Sequence, residues 1–254
     1  MKKRLLVGNW KSYPATLPEA KKIFTRMKAK LSKVSGVDFR LAVPYPYVYA
    51  LTEGKKKGRI LVGTQDVSHA TGGAHTGEVA ASMGASVGAS FAIVGHSERR
   101  AQGETNDIVN KKVLAALGSG MDVVLCIGEK ERDLEGAYFT FLKQELDSAF
   151  QGILPKDLSK IIIAYEPVFA IGKSAAEAMN GSDVQQMVIF IRKFLTERFN
   201  RSRADSTPIL YGGSVDETNA KSIYSEGAID GFLLGRASLD PAVVSTIVKL
   251  TSHS

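Results

Sequence analysis

Three polar side chains of complementary chemistry, Lys11, His96 and Glu166, each lie just after a short apolar run that is typical of a β-strand. A carboxylate that leaves an apolar strand is a candidate general base. A lysine ammonium in the same position can hold an anionic group of a substrate. A helix that begins near Ser97 would disfavour the imidazolium of His96, and the neutral ring could then donate one hydrogen bond. Considered singly, Lys11 could be a surface lysine and His96 a structural histidine.

Two glycine-rich turns, 212–215 and 235–238, predict a site for a phosphate group. Consecutive small residues after a strand leave backbone N–H groups exposed in a concave surface that binds anions. Each turn alone is a common feature, but together they match the phosphate site that (β/α)8 barrels often build from their last two loops. The loop 168–176 is apolar where most exposed loops are polar, and it follows Glu166. It therefore predicts a lid that excludes water from the carboxylate.

Other catalytic signatures are incomplete. The string around Ser97 lacks the second glycine of a nucleophile elbow, because Arg99 stands in its place. The string 172–174 lacks the earlier glycine of a nucleotide-binding loop, because Pro167 stands there. The remaining histidines have neither helical ligand spacing nor an accompanying carboxylate cluster. We therefore expect no metal site.

Eight short apolar runs alternate with segments of helical periodicity. The runs cover 5–7, 39–43, 60–62, 91–94, 123–127, 161–164, 209–211 and 231–234. They are nearly continuous rather than alternating, which is typical of strands covered on both faces in a parallel sheet. Amphipathic helices are predicted over 18–31, 108–117 and 184–199. Because strand and helix alternate eight times, the sequence predicts the α/β class and a single (β/α)8 barrel with eight parallel strands.

An open, doubly wound sheet is the alternative architecture. In both architectures the functional residues gather past the carboxyl ends of the strands, so the active site is expected at the C-terminal rim. Glycine and proline are dispersed and no linker is visible. Residues 1–254 are therefore predicted to form one domain.

The composition excludes several classes of protein. The chain has 254 residues, of which 44% are hydrophobic and 23% charged, and this is too apolar for a disordered chain. No apolar run approaches the roughly 18 residues of a membrane span, and the N-terminal apolar stretch is too short for a signal peptide. The single cysteine, Cys126, ends an apolar run and is interpreted as a small core residue. These features predict a cytoplasmic protein.

The net charge favours anionic partners. Lys and Arg number 33 against 26 Asp and Glu, which gives +7. Such an excess suits nucleic acid, an acidic membrane face or small phosphorylated molecules. A basic nucleic-acid-binding protein is therefore one hypothesis. However, no aromatic residues are interleaved with the basic clusters, as stacking on bases requires, so we expect neither a nucleic-acid nor a membrane partner.

Seven strings, in this order, closely resemble the triosephosphate isomerase family and span almost the whole chain. They are Gly8-Asn9-Trp10-Lys11, Gly77-Glu78, Val94-Gly95-His96-Ser97-Glu98-Arg99-Arg100, Cys126-Ile127-Gly128-Glu129, Ala164-Tyr165-Glu166-Pro167-Val168, Tyr211-Gly212-Gly213-Ser214-Val215 and the stretch 231–239. The joint match is far more specific than any one of these strings.

The resemblance implies an enzyme of glycolysis and gluconeogenesis. It would interconvert dihydroxyacetone phosphate and D-glyceraldehyde 3-phosphate through an enediolate, without a cofactor. Glu166 is implied as the base, His96 as the neutral electrophile, Lys11 as the stabilising cation and Asn9 as a residue that orients the substrate. The glutamate base and neutral histidine are the established pair of this family, so they come with the resemblance.

The resemblance also assigns supporting positions. Backbone contacts to the substrate phosphate are implied at Gly172, Ser214, Gly235 and Arg236. Ser97 and Glu98 fall beside the catalytic side chains and are expected to support them. The segment 71–78 aligns with a loop that inserts into a neighbouring subunit, so a homodimer is expected, with Thr76 near the partner's site.

Departures from the family pattern leave a second enzyme hypothesis open. Residues 172–176 differ from the usual Gly-Thr-Gly-Lys-Thr, and Phe169 stands where the family usually has tryptophan. Arg236 stands where the family more often has glycine; its backbone N–H remains a donor if its φ is negative, and its guanidinium could pair with an acid. The alternative hypothesis is a barrel isomerase that acts on a larger phosphosugar.

Overall fold

The strands form a closed barrel. A computed structural model describes residues 4–53, 59–172 and 178–251 of the chain. Its strands are β1 (Arg4–Asn9), β2 (Val37–Val43), β3 (Ile60–Thr64), β4 (Phe91–Val94), β5 (Asp122–Ile127), β6 (Ile161–Tyr165), β7 (Ile209–Tyr211) and β8 (Gly231–Leu234). Each strand pairs in parallel with the next, and β8 pairs with β1. The predicted (β/α)8 barrel is confirmed, and the open sheet is excluded.

Helices connect successive strands on the outside of the barrel. They are α1 (Leu17–Leu31), α2 (Tyr45–Thr52), α3 (Ala81–Ser86), α4 (Ser97–Ala101), α5 (Asn106–Gly118), α6 (Ala137–Ala149), α7 (Gly181–Arg198), α8 (Arg201–Ser206), α9 (Ala220–Glu226) and α10 (Pro241–Leu250). The three predicted amphipathic helices correspond to α1, α5 and α7. Thr16 and Asn180 are the N-caps of α1 and α7: their side chains accept hydrogen bonds from the backbone N–H groups of Glu19 and Asp183.

Alternate residues of each strand face two different apolar clusters. In β1, Leu5 and Val7 point into the barrel, while Leu6 belongs to the layer between the strands and the helices. The strands are therefore apolar on both faces, which accounts for the continuous runs in the sequence. Cys126 lies in the inner cluster, as predicted, and burial raises the pKa of its thiol.

Some expectations fall outside the described residues. The altered lid string continues through 173–176, which the structure does not describe; Gly172 is the last residue before that gap. Among the described helices, none combines the length and the apolar character that a membrane span requires.

Candidate active site

The end of β1 fixes Lys11 above the barrel. The buried indole of Trp10 donates a hydrogen bond to the carbonyl of Ser238 at 3.2 Å, which ties the first strand to the segment after the last. Lys11 has a φ of +52°, a conformation that costs a non-glycine residue about 1 kcal/mol or more. Its N–H donates to Oδ1 of Asn9 at 3.0 Å, and its carbonyl accepts from the amide of Gln65 at 2.8 Å. These bonds hold the strained backbone that presents the ammonium.

His96 follows β4 and caps α4, which begins at Ser97 as predicted. Its ring is buried, with 5% of the residue exposed. Nδ1 accepts the backbone N–H of Glu98 at 3.1 Å. A ring nitrogen that accepts carries no proton, so the neutral tautomer has its proton on Nε2. The geometry therefore fits a neutral imidazole that donates from Nε2.

Glu166 follows β6 and lies against His96. Oε1 of Glu166 is 3.3 Å from Nε2 of His96, and Oε2 accepts the backbone N–H of Ser97 at 3.4 Å. The residue is 3% exposed. Its backbone N–H donates to the carbonyl of Ile127 at 2.7 Å. A candidate base and a candidate hydrogen-bond donor thus stand side by side, and both residues are buried.

Glu98 supports two of the candidate residues at once. Its carboxylate forms an ion pair with Lys11, in which Nζ lies 2.6 Å from Oε1. Its backbone N–H, as described above, fixes the ring of His96. The structure therefore places the carboxylate of Glu98 in direct contact with the ammonium of Lys11.

One cleft at the C-terminal rim brings the predicted residues together. Its volume is about 960 Å³. Its lining includes the candidate catalytic and phosphate-binding residues Asn9, Lys11, His96, Glu166, Gly172, Ser214, Gly235 and Arg236. No group of three or more His, Cys, Asp and Glu side chains that could hold a metal occurs in the described ranges.

The phosphate turns differ in how ready they are to bind. The backbone N–H of Ser214 donates to the carbonyl of Ala170 at 3.3 Å, so this predicted phosphate donor already has a partner in the structure. Arg236 is not among the described non-glycine residues with positive φ. Its φ is therefore negative, which is the conformation in which its backbone N–H is expected to remain a donor. Its side chain is exposed, and within the described ranges it has no ion pair with an acid.

Sequence reasoning missed two groups of supporting residues. Gln65 follows β3 directly, so the same strand-end rule that found Glu166 would also have identified it. Glu129 and Arg132, which follow β5, contact the segment that carries Glu166. Arg132 is five residues beyond its strand, and no local pattern marks it.

The closed barrel and this cleft together define a (β/α)8-barrel protein with a candidate active site at its C-terminal rim. Comparison with known proteins then narrows the class. The sequence profile of triosephosphate isomerase matches residues 4–251. The triosephosphate isomerase of Carboxydothermus hydrogenoformans is 36% identical over 251 residues, 98% of this chain and 99% of that protein. That of Protochlamydia amoebophila is 38% identical over 250 residues, 98% of this chain and 92% of that protein. The chain belongs to the triosephosphate isomerase family and is an isomerase.

Proposed function

We propose that this chain interconverts dihydroxyacetone phosphate and D-glyceraldehyde 3-phosphate, without a cofactor, in glycolysis and gluconeogenesis. The observation that carries the proposal is the cleft in which Lys11, His96 and Glu166 converge, with the carboxylate 3.3 Å from the imidazole. Residues 1–254 are proposed to form one catalytic domain. A cytoplasmic setting remains a prediction, supported by a single, buried cysteine.

The chemistry requires a base, a donor and a cation. Glu166 removes a proton from the carbon next to the substrate carbonyl and returns it to the neighbouring carbon. His96 donates from Nε2 to the oxygen on which charge develops, and Lys11 stabilises the enediolate and the phosphate. Asn9 orients the substrate. Because a proton beside a carbonyl is weakly acidic, the stabilisation of the developing charge is the main task of the site.

Glu166→Gln tests the role of the base. We expect kcat/KM for D-glyceraldehyde 3-phosphate, measured in a coupled assay, to fall about 10²- to 10⁴-fold, because a positioned general base contributes that much. Glu197→Gln is the matched control, since that carboxylate is exposed on α7 and lies 3.9 Å from Lys193. A loss of less than about tenfold (about 1.4 kcal/mol) in Glu166→Gln would reject the carboxylate as the base.

We also propose that the chain forms a homodimer through the segment 71–78. All eight residues of this segment are exposed, and its base is pinned by the hydrogen bond from the N–H of Ser68 to the carbonyl of Val79. Large apolar side chains are exposed on nearby elements: Tyr13, Tyr49, Met83 and Val87. A second cleft, of about 360 Å³, opens beside Lys11 and His96 and could receive such a loop from another copy.

Thr76→Arg tests the dimer. A bulky cation at the tip of the segment should prevent its insertion, so we expect a monomer in sedimentation velocity and a loss of activity. Thr25→Arg, at an exposed position of α1, places the same side chain away from the segment and should leave both properties unchanged. If the unaltered protein sediments as a fully active monomer at nanomolar concentration, the dimer proposal is wrong.

A further inference from the structure

The loop after β5 contacts the segment that carries Glu166. The guanidinium of Arg132 donates from Nε to Oε1 of Glu129 at 2.9 Å and from Nη2 to the hydroxyl of Tyr165 at 3.0 Å. The hydroxyl of Tyr165 in turn donates to the same oxygen of Glu129 at 2.7 Å. The three side chains are thus hydrogen-bonded to one another, and one of them, Tyr165, immediately precedes Glu166.

The same guanidinium also contacts the residues that follow Glu166. The centre of the Arg132 guanidinium lies 5.7 Å from the ring centroid of Phe169 and 5.0 Å from that of Tyr138. Both distances are within the range of a cation–π contact. A single side chain therefore touches the chain on both sides of the candidate base.

Backbone hydrogen bonds join the same two segments. The N–H of Glu166 donates to the carbonyl of Ile127 at 2.7 Å, and the N–H of Val168 donates to the carbonyl of Glu129 at 2.9 Å. The segment 165–169 is therefore held by main-chain bonds to the end of β5 and by side-chain contacts to Arg132.

The positive charge of Arg132 compensates the buried carboxylate of Glu129. Glu129 is 1% exposed, and within the described ranges Arg132 is the cation paired with it. A buried carboxylate without a partner is strongly unfavourable, so the pair holds the loop in place. Burial and the neighbouring carboxylate of Glu129 raise the pKa of Tyr165, so its hydroxyl stays protonated and donates to that carboxylate.

We infer that Arg132 is a positioning residue for the isomerisation. It fixes the backbone of 165–169 through Tyr165 and Phe169, and thereby the direction in which Glu166 points. The inference rests on the proposed role of Glu166 as the base. According to this inference, the loop after β5 helps to orient the base for proton transfer, although Arg132 does not line the cleft.

The test compares Arg132→Lys and Arg132→Met with Arg192→Lys. Lysine keeps the charge beside Glu129 but loses the two-pronged donor and the flat face, so the fold should persist in that variant even if Arg132→Met unfolds. Arg192 is the matched control: it also joins an acid, Asp230 at 2.8 Å, and backbone carbonyls, but at the amino ends of β7 and β8. Steady-state kinetics and thermal unfolding would be measured for each variant.

We expect Arg132→Lys to lower kcat about 10- to 100-fold with KM nearly unchanged, because a small misplacement of a reacting group has effects of that size. We also expect a several-fold rise in the fraction of turnovers that release inorganic phosphate. In that side reaction one enediolate oxygen becomes a carbonyl, and the carbon–carbon double bond shifts to the carbon that bears the phosphate. The C–O bond at that carbon breaks, and its electron pair leaves with the phosphate. Phe169→Leu should give a similar change, and the double variant with Arg132→Lys should be less than additive in kcat.

Other outcomes overturn the inference. If Arg132→Lys lowers only the unfolding temperature, as Arg192→Lys is expected to do, Arg132 has a purely structural role. Additive effects of Arg132→Lys and Phe169→Leu would also contradict it. The proposed function is tested separately: if Glu166→Gln retains activity, the base is wrong, whereas a normal kcat in Arg132→Lys with an inactive Glu166→Gln rejects only the positioning role.

Discussion

At the scale of single residues, the site depends on a missing side chain as well as on those present. A Cβ on Gly212 would lie 2.8 Å from Cγ of Glu166, closer than real carbon atoms approach. The glycine after β7 therefore leaves room for the candidate base after β6. A side chain at 212 would displace the carboxylate from His96 without removing any catalytic group.

Gly212→Ala should therefore lower kcat about 10- to 100-fold, because the base is displaced by a fraction of an ångström or more. The KM should change less than kcat: Gly212 lies in the turn 212–215, but the implied phosphate donor of that turn is the backbone N–H of Ser214, which the substitution leaves in place. Gly118→Ala is the control: a Cβ there meets nothing within 4 Å, and the helix should gain about 0.5–1 kcal/mol in its free energy of unfolding. Equal kcat values for the two variants, measured in the same assay, would show that Gly212 does not position the base.

The catalytic candidates could be predicted from the sequence because each follows a strand, and parallel strands deliver such residues to one rim. The contacts between loops could not be predicted. The bond from Ser214 to the carbonyl of Ala170 joins two loops that follow different strands, and no local pattern encodes it. The role of Arg132 could not be predicted for the same reason: its partners Tyr165 and Phe169 are more than thirty positions away in the chain.

At the scale of elements, α5 is fastened to the barrel by a buried cation. Lys112 is 2% exposed and lies 2.7 Å from Oδ1 of Asp66, in the loop after β3, and it also contacts the carboxylate of Glu104. Arg99 completes the cluster, with Nε 3.0 Å from Asp66. Because these charges come from the loop after β3, from α4, from the turn between α4 and α5, and from α5, they hold both helices against the loop after β3.

Lys112→Met should destabilise the protein by about 1–3 kcal/mol, because two partly buried carboxylates lose one of their two cations while Arg99 still contacts both. Urea unfolding followed by circular dichroism measures the change. Lys111→Met is the control, since Lys111 is exposed and, among the residues that the structure describes, its ion-pair partner is Asp107 along the helix, an interaction of about 0.5 kcal/mol or less. Equal losses of stability in the two variants would show that the buried cluster does not fasten α5.

Long helices could be predicted from their apolar periodicity, whereas the extent of the short helices could not. The bounds of α1 and α5 lie close to the predicted ones because each has several turns of apolar periodicity. The helices α3 and α4 have six and five residues, too few for a period to appear in the sequence. The helix α7 begins at Gly181, three residues before its predicted start at 184, because the side chain of Asn180 caps the helix there.

At the scale of the whole molecule, the net charge of +7 suits a phosphorylated substrate. A positive protein attracts a dianion before contact is made, and salt weakens this attraction. We expect kcat/KM for D-glyceraldehyde 3-phosphate to fall several-fold as potassium chloride is raised to physiological ionic strength. The same measurement with unphosphorylated glyceraldehyde, which is neutral, should show little change. A salt-independent kcat/KM for the phosphorylated substrate would rule out long-range attraction.

The bond between the indole of Trp10 and the carbonyl of Ser238 has a consequence for biosynthesis. Because β1 closes the barrel against β8, Lys11 cannot take its place in the site until the 220 positions that separate it from Gly231 have been translated. At about 5–20 residues per second, that delay is on the order of 10–50 s. A nascent chain stalled before residue 231 would therefore contain Lys11, His96 and Glu166 and still be inactive, because its barrel would be open.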